Sequence, residues 1–337
     1  MNELRYPVWA EDFLYIMETN NIKQFKTIDE QIDLLASRRM SFNNVENAKK
    51  LLLTNNYYNV INGYKDLFMN NEDTFKNGTS FEELYALYDF DRSLRDILLK
   101  YILKIENTLR TLVAYYFSLE HGNDNYLTIN NFNCYQNINV SEKTKIKRIK
   151  YIQELIIKIQ QKTSKAMISK SYIQHYVVTY GFVPLWVLVN ILSFGELSKF
   201  IELMKQKERV KIAKFFDCDE DGLIQMVKLI NFYRNLCAHD ERVYNAKLPK
   251  YLYIKDTKYH QKLDIPKNND MYKYGKNDFF ALIISFKILL NDDDFYTMFN
   301  KVFGRTKSLE KKLNTIDIDD ILKIMNLPYN WWQIKKS

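Results

Sequence analysis

Apolar residues recur along this chain three and four positions apart, the spacing of one face of a helix. From Leu84 through Leu87, Tyr88, Leu94, Ile97, Leu98, Tyr101, Ile102, Ile105 and Leu109 to Val113 the register barely falters. It predicts a long helix running to about residue 120, opened by two overlapping capping boxes, Thr79 with Glu82 and Ser80 with Glu83. Forty residues is long for a helix in a globular domain, so a break near Asp89–Asp91 is expected. Shorter periodic runs predict helices over residues 30–39 (capped by Thr27 and Glu30), 45–54, 141–162, a stretch around His175, 185–192, 195–205, 208–216, 221–238, 279–290, 295–303 and 318–325. Residues 1–25 read as an irregular arm and 56–68 as an aromatic packed connection broken at Gly63. Residues 121–140 read as an Asn-rich loop, 161–170 as a polar link, 251–254 as a short strand and 255–276 as polar loop.

The fold class expected is all-α: an N-terminal helical subregion over residues 1–78, a helical core over 79–248 and a C-terminal helical elaboration over 249–337. Composition agrees. The 337 residues hold only 8 Gly and 5 Pro, and 47% are hydrophobic, so breakers are scarce and a large core can be buried. Cys134, Cys218 and Cys237 show no CxxC spacing, which argues against a zinc site or a disulfide framework. The opening Met1-Asn-Glu-Leu lacks the apolar run of a secretory leader, and no apolar run approaches the roughly 20 residues that span a bilayer. A cytoplasmic protein without membrane contact and without a cofactor is expected.

Net charge is +8, from 49 basic and 41 acidic side chains. It is unevenly spread. Residues 141–170 carry Lys143, Lys145, Lys147, Arg148, Lys150, Lys158, Lys162, Lys165 and Lys170 against Glu142 and Glu154, a net of +7. Such a segment draws a polyanion through phosphate contacts, with Lys143, Lys145, Lys147, Arg148 and Lys150 as the candidate RNA contacts. A charge run taken alone is more often a solvated helix face.

The chemistry concentrates in Arg234-Asn-Leu-Cys-Ala-His239, near the end of a predicted helix. Asn235 and His239 lie four apart and share a face, whereas Arg234 is about 140° from His239 around the axis but long enough to swing toward it. An imidazole titrates near neutrality, and a guanidinium holds a phosphate oxygen as charge builds on it. RNA brings its own nucleophile, the 2′-hydroxyl, so a His and an Arg can suffice for cleavage, and the sequence carries no metal cluster. One His fits poorly as both acid and base, which two motifs facing across a shared cleft would remedy. Spacing alone leaves a capping His or a structural Arg–Asp pair as the commoner reading. Trp186 and Phe194 sit at core spacing, Cys237 reads as a small buried residue, and His121 and His260 fall in predicted loops.

The motif, with Arg242-Val-Tyr-Asn245 after it, resembles the signature of the Abi-like (abortive infection, AbiD/AbiF) family of bacterial phage-resistance proteins, within the HEPN superfamily. Further blocks carry the resemblance: Pro184-Leu-Trp186 through Ser193-Phe-Gly195-Glu-Leu-Ser198, Tyr88-Asp-Phe90-Asp91-Arg92-Ser-Leu-Arg95 with Ile105-Glu106-Asn-Thr-Leu-Arg110, and the early Thr27 to Leu35 and Asn56 to Tyr64. The resemblance implies a HEPN-type helical bundle, a homodimer that juxtaposes two motifs, and metal-independent endoribonuclease activity in antiviral defence. Arg234, Asn235 and His239 would be catalytic, supported by Glu106, Arg110, Asp240, Arg242 and Asn245. RNA would be the partner, both as substrate and as a structured noncoding RNA, or a partner protein would hold the chain as a toxin component. Where many relatives have a second His, this chain has Asp240, which could orient His239 or repel phosphate.

Overall fold

A computed structural model describes residues 25–70, 73–135 and 139–336. The expected arm over residues 1–25 lies, but for its last residue, outside them. The regular elements are nearly all helices, as the periodicity predicts, with only a two-residue hairpin of strand, and the chain divides into two compact units at Leu84.

In the first unit, α1 (Ile28–Ser37) opens on the Thr27–Glu30 capping box and α2 (Val45–Asn55) on the Asn44 side chain. They pack on each other through Leu35, Ala48 and Leu52. The aromatic connection is a turn of π-helix (Tyr58–Asn62) and one of 3-10 helix (Lys65–Phe68), buried through Val60, Ile61, Tyr64 and Phe68.

The second unit is built on α3 (Phe81–His121) from Tyr85 onward, a helix of 41 residues without a break. The expected interruption at Asp89–Asp91 is absent for two reasons. No Gly or Pro falls within the helix, and Asp91, on the core stripe between Leu87 and Leu94, is paired one turn on with Arg95. Leu87, Leu94, Leu98, Ile102, Ile105, Leu109, Val113 and Phe117 are fully buried along it.

The basic helix α4 runs over Glu142–Ser169, with Ser141 as its cap. The expected polar link at 161–170 is mostly its continuation, because Ile159 and Ala166 keep the buried register and Lys162 pairs with Glu196 at 2.6 Å. After α5 (Ser171–Tyr180) and the single-turn α6 (Leu185–Leu188), α7 (Phe194–Leu203) packs against both α4 and the motif helix, α9 (Glu220–Ala238). Helix α8 (Gln206–Phe215) packs on α9 from the preceding turn. Trp186 is 51% exposed rather than packed, because one-turn α6 buries Leu185 and Leu188 and turns Trp186 outward. His121 ends α3 and meets the buried Glu208 at 2.6 Å, so it has the partner that loop placement denied it.

Toward the C-terminus, residues 251–254 form no strand. Instead α10 (Lys258–Lys262) and a two-residue hairpin, β1 (Lys267–Asn268) with β2 (Met271–Tyr272), occupy the expected loop. His260, fully buried, accepts from the Thr257 N–H through Nδ1 (3.0 Å), so its Nε2 donates to the Gly275 carbonyl at 2.9 Å. Gly275 is obligatory there: its φ is +82°, and a Cβ would sit 2.8 Å from both His260 and Ile284. Asp278 caps α11 (Phe279–Leu289), accepting from the Gly275 and Ala281 N–H groups. Helix α11 packs on α9, with Phe279 edge-on to Tyr233, nearly two turns before His239. Helices α12 (Asp292–Glu310) and α13 (Ile318–Ile324) and the turn Trp331–Lys335 complete the unit, Trp331 lying against Phe299 and Phe303.

Burial raises the Asp278 carboxyl to about 6, against the pull of its backbone donors. A carboxyl raised on folding stabilises most below its unfolded value and loses that contribution as pH rises through its folded value. Burial acts oppositely on His260, whose pKa is lowered, so its contribution falls as pH drops below the ordinary imidazole range. Urea unfolding of wild type and Asp278→Asn separates the two. The wild-type-minus-variant free-energy difference should fall by about 3 kcal/mol between about pH 4 and about pH 7.

Candidate active site

Helix α9 ends where its last carbonyls are taken up by the turn that follows. His239 is its C-cap (φ −102°), and the Glu241 N–H returns to the Leu236 carbonyl at 2.9 Å in a Schellman-type closure. That closure requires a left-handed residue next, and Asp240 supplies it at φ +57°. Asp tolerates this conformation better than most side chains, although it is less suited than Gly. The strain is held by Arg95 of α3, whose guanidinium meets the Asp240 carboxylate at 2.8 Å and that of Asp91 at 2.7 Å. Asp91 has no solvent exposure and also accepts from the N–H groups of Tyr244 (2.8 Å) and Val243 (3.2 Å). One buried carboxylate and one buried guanidinium thus fasten the turn after the motif to the central helix.

This frame leaves the motif side chains facing outward. Asn235 and His239 are exposed, and the His239 imidazole makes no hydrogen bond within the described residues. Arg234 is half-buried, and its Nε has no hydrogen-bond partner among the described residues. Among the other predicted site residues, Asp240 is drawn to Arg95, Arg242 is exposed in the turn and Asn245 is half-buried at its end. Burial pushes the Cys237 thiol up to about 12, so it stays a neutral thiol and not a nucleophile. The described residues hold no group of three or more His, Cys, Asp and Glu side chains arranged to bind a metal ion.

Glu106 and Arg110 are paired with each other, but Arg95, which grips the motif's turn, lies about 16 Å and about 22 Å from them along α3 at 1.5 Å per residue. Arg110 donates to the carbonyls of Val189 (2.6 Å) and Leu192 (2.7 Å), so the pair anchors the connection into α7. Any influence on the motif passes through the packing of α7 on α9. Of the basic side chains, Lys143, Lys147 and Lys150 are exposed and Lys145 is half-buried. Arg148 is turned inward, donating to the carbonyls of Asn133 (3.0 Å) and Glu202 (2.6 Å). The basic face of α4 is therefore one helix removed from α9, with α7 between them.

Sequence reading passed over Asp91 and Arg95 as site residues. A signal was present: a charged i, i+4 pair set on an otherwise apolar stripe has to be satisfied inside the protein.

A family model described as Abi-like protein matches residues 50–245, more than half of the chain. The chain belongs to the Abi-like family. Membership points to abortive infection as the biological setting. The matched span takes in Asp91 and Arg95 on α3 and the motif on α9, and closes at Asn245. Nothing among curated proteins or solved structures matches the chain.

Removing one member of a buried ion pair strands the other charge, whereas an exposed partner contributes little. Arg95→Ala, which leaves Asp91 buried without its cation, should lower the unfolding free energy by about 3–5 kcal/mol. Asp240→Asn, at a side chain 66% exposed, should cost at most about 1 kcal/mol. Denaturant melts of the two variants check the contrast.

Proposed function

We propose that this Abi-like protein is a HEPN-type, metal-independent endoribonuclease that acts in the cytoplasm during abortive infection. The observation that carries the reading is the joint presentation of Arg234, Asn235 and His239 at a helix end held rigid from below, with the imidazole uncommitted to any structural bond. In the proposed reaction a base takes the proton of the RNA 2′-hydroxyl, and the freed oxygen attacks the adjacent phosphorus. The bond to the 5′-oxygen breaks as that oxygen receives a proton. The products are a 2′,3′-cyclic phosphate and a 5′-hydroxyl, with no net gain or loss of protons.

His239 serves as the general acid or base. The Arg234 guanidinium stabilises the phosphorane oxygens, an electrostatic contribution that catalytic sites commonly make through prepositioned donors. Asn235, exposed on the face shared with His239, orients the phosphate or the imidazole. Base and acid act at opposite sides of the phosphorus, so the reading places two protomers with their motifs facing across one cleft, each His239 taking one role. The basic face of α4 supports RNA as the ligand and equally suits a second reading, a non-catalytic RNA-binding module in which the motif grips phosphate. A structured noncoding RNA would fit either.

Incubating wild type and His239→Ala with RNA in excess EDTA distinguishes them. The proposal expects EDTA-resistant cleavage that leaves 2′,3′-cyclic phosphate ends and falls at least about 100-fold in the variant, in line with loss of a general acid–base group. Tight RNA binding by both proteins with no cleavage by either would replace it with the second reading.

A further inference from the structure

A cleft of about 430 Å³ opens between the basic helix α4 and the first turn of α7. Its walls include Tyr151 and Lys158 from α4 and Gly195 and Lys199 from α7. Two carboxylates, Glu154 and Glu196, also line it, and each is answered by a lysine: Lys150 lies 3.9 Å from Glu154 and Lys162 2.6 Å from Glu196. The Lys199 ammonium is held 4.2 Å from the centre of the Tyr151 ring while also meeting Glu202 at 3.1 Å. Lys158 is exposed and has no ion-pair partner among the described residues, so the cleft carries one cation with nothing to neutralise it.

The inner rim of the cleft touches the motif helix. Gly195 is exposed, its φ is not left-handed, and a Cβ there would meet the Asn231 side chain at 3.6 and 3.8 Å, ordinary contact distances. Neither backbone conformation nor packing calls for a glycine in this helical turn, where alanine is intrinsically preferred. What the missing Cβ does allow is close approach of a ligand to the α7 backbone. Asn231, beyond Gly195, begins a row on α9 that continues through Asn235 to His239, about 12 Å along the axis. The Oδ1 of Asn231 and the Nε of Arg234, three positions on and beside this row, are both buried without a hydrogen-bond partner among the described residues. Unsatisfied polar atoms of this kind call for a missing partner.

We propose that this cleft is a subsite for the RNA strand, binding a phosphodiester that flanks the bond cleaved at His239. The proposal rests on the ribonuclease reading for the direction in which the strand continues, and on the cleft itself for binding. Lys158 and Lys199 hold the phosphate, and the strand crosses the α7 backbone at Gly195. Arg234 receives the next phosphate, and Asn231 Oδ1 accepts from a ribose 2′-hydroxyl. That last contact makes the site select RNA over DNA, since the acceptor stays unpaired beside a deoxyribose.

The test uses the full chain carrying His239→Ala, so that a fluorescein-labelled 12-nucleotide oligoribonucleotide survives, with anisotropy read across a salt series. Adding Lys158→Ala should weaken binding about tenfold and reduce the salt slope by about 0.7, the counterion release of one single-stranded phosphate. Gly195→Ala should melt no lower than its parent yet bind more weakly. Asn231→Ala should bring RNA affinity down to that of the matching oligodeoxynucleotide. An unchanged affinity and slope in Lys158→Ala, or equal binding of RNA and DNA by the parent, overturns the subsite. Absence of cleavage by the wild type alongside these binding losses overturns the ribonuclease reading and leaves the subsite standing.

Discussion

The Asp91 carboxylate, sealed from solvent on the core stripe of α3, accepts from two backbone N–H groups of the turn after α9 and pairs with Arg95, which reaches on to Asp240. A buried ion pair of this kind is a poor source of net stability, because desolvating both charges offsets most of their attraction. It is strong in another respect: each charge must be matched, so the turn has one permitted position. The conformation that the Schellman closure demands of Asp240 is then held by the same guanidinium. The backbone of His239, at the C-cap between helix and turn, is placed by this arrangement, while its imidazole makes no hydrogen bond among the described residues. A fixed backbone beneath an exposed, uncommitted imidazole is the arrangement that the proposed proton transfer would use.

Charge is distributed in keeping with that division. Two carboxylates by the motif are compensated: Asp91 is buried and paired with Arg95, and Asp240 is drawn to the same guanidinium. Asp240 therefore presents much less uncompensated negative charge to an approaching phosphate than its position beside His239 suggests. Positive charge without a structural partner sits instead on α4, across α7, and the cleft at Gly195 connects the two regions. Helix α7 is consequently more than a spacer. Arg110 fixes the connection that leads into it, Lys162 fastens its first turn through Glu196, and its packing face sets the height of α9.

Helical periodicity made most of the fold readable from the chain, down to the Thr27 cap and the starts of α4 and α13. It misjudged elements where a single polar residue decides the outcome. Asp91 reads as a helix breaker when its side chain is taken as solvent-seeking, and as a helix residue once Arg95 is seen one turn away. The stretch at 161–170 reads as a linker by polarity, although Ile159 and Ala166 carry the buried face through it. Trp186 reads as core by type, yet a helix of one turn cannot bury all its sides. The same limit applied to the site. Arg234, Asn235 and His239 were visible because they are adjacent in sequence. Asp91 and Arg95 lie some 140 positions earlier, and only the packing of α3 under the turn brings them to the motif. Glu106 instead accepts from Arg110, and Arg110 donates to the backbone carbonyls of Val189 and Leu192 before α7.

Amide hydrogen exchange at Val243 and Tyr244 tests most directly whether the Asp91–Arg95 pair governs the motif's turn. Both N–H groups lie in irregular backbone outside any helix, where exchange is ordinarily fast. If the buried carboxylate holds them, they exchange as slowly as the core amides of α9 and lose that protection together in Arg95→Ala. Rapid exchange of the two amides in the wild type, with α9 still protected, would show that the turn moves independently of α3 and that His239 is not positioned by this pair.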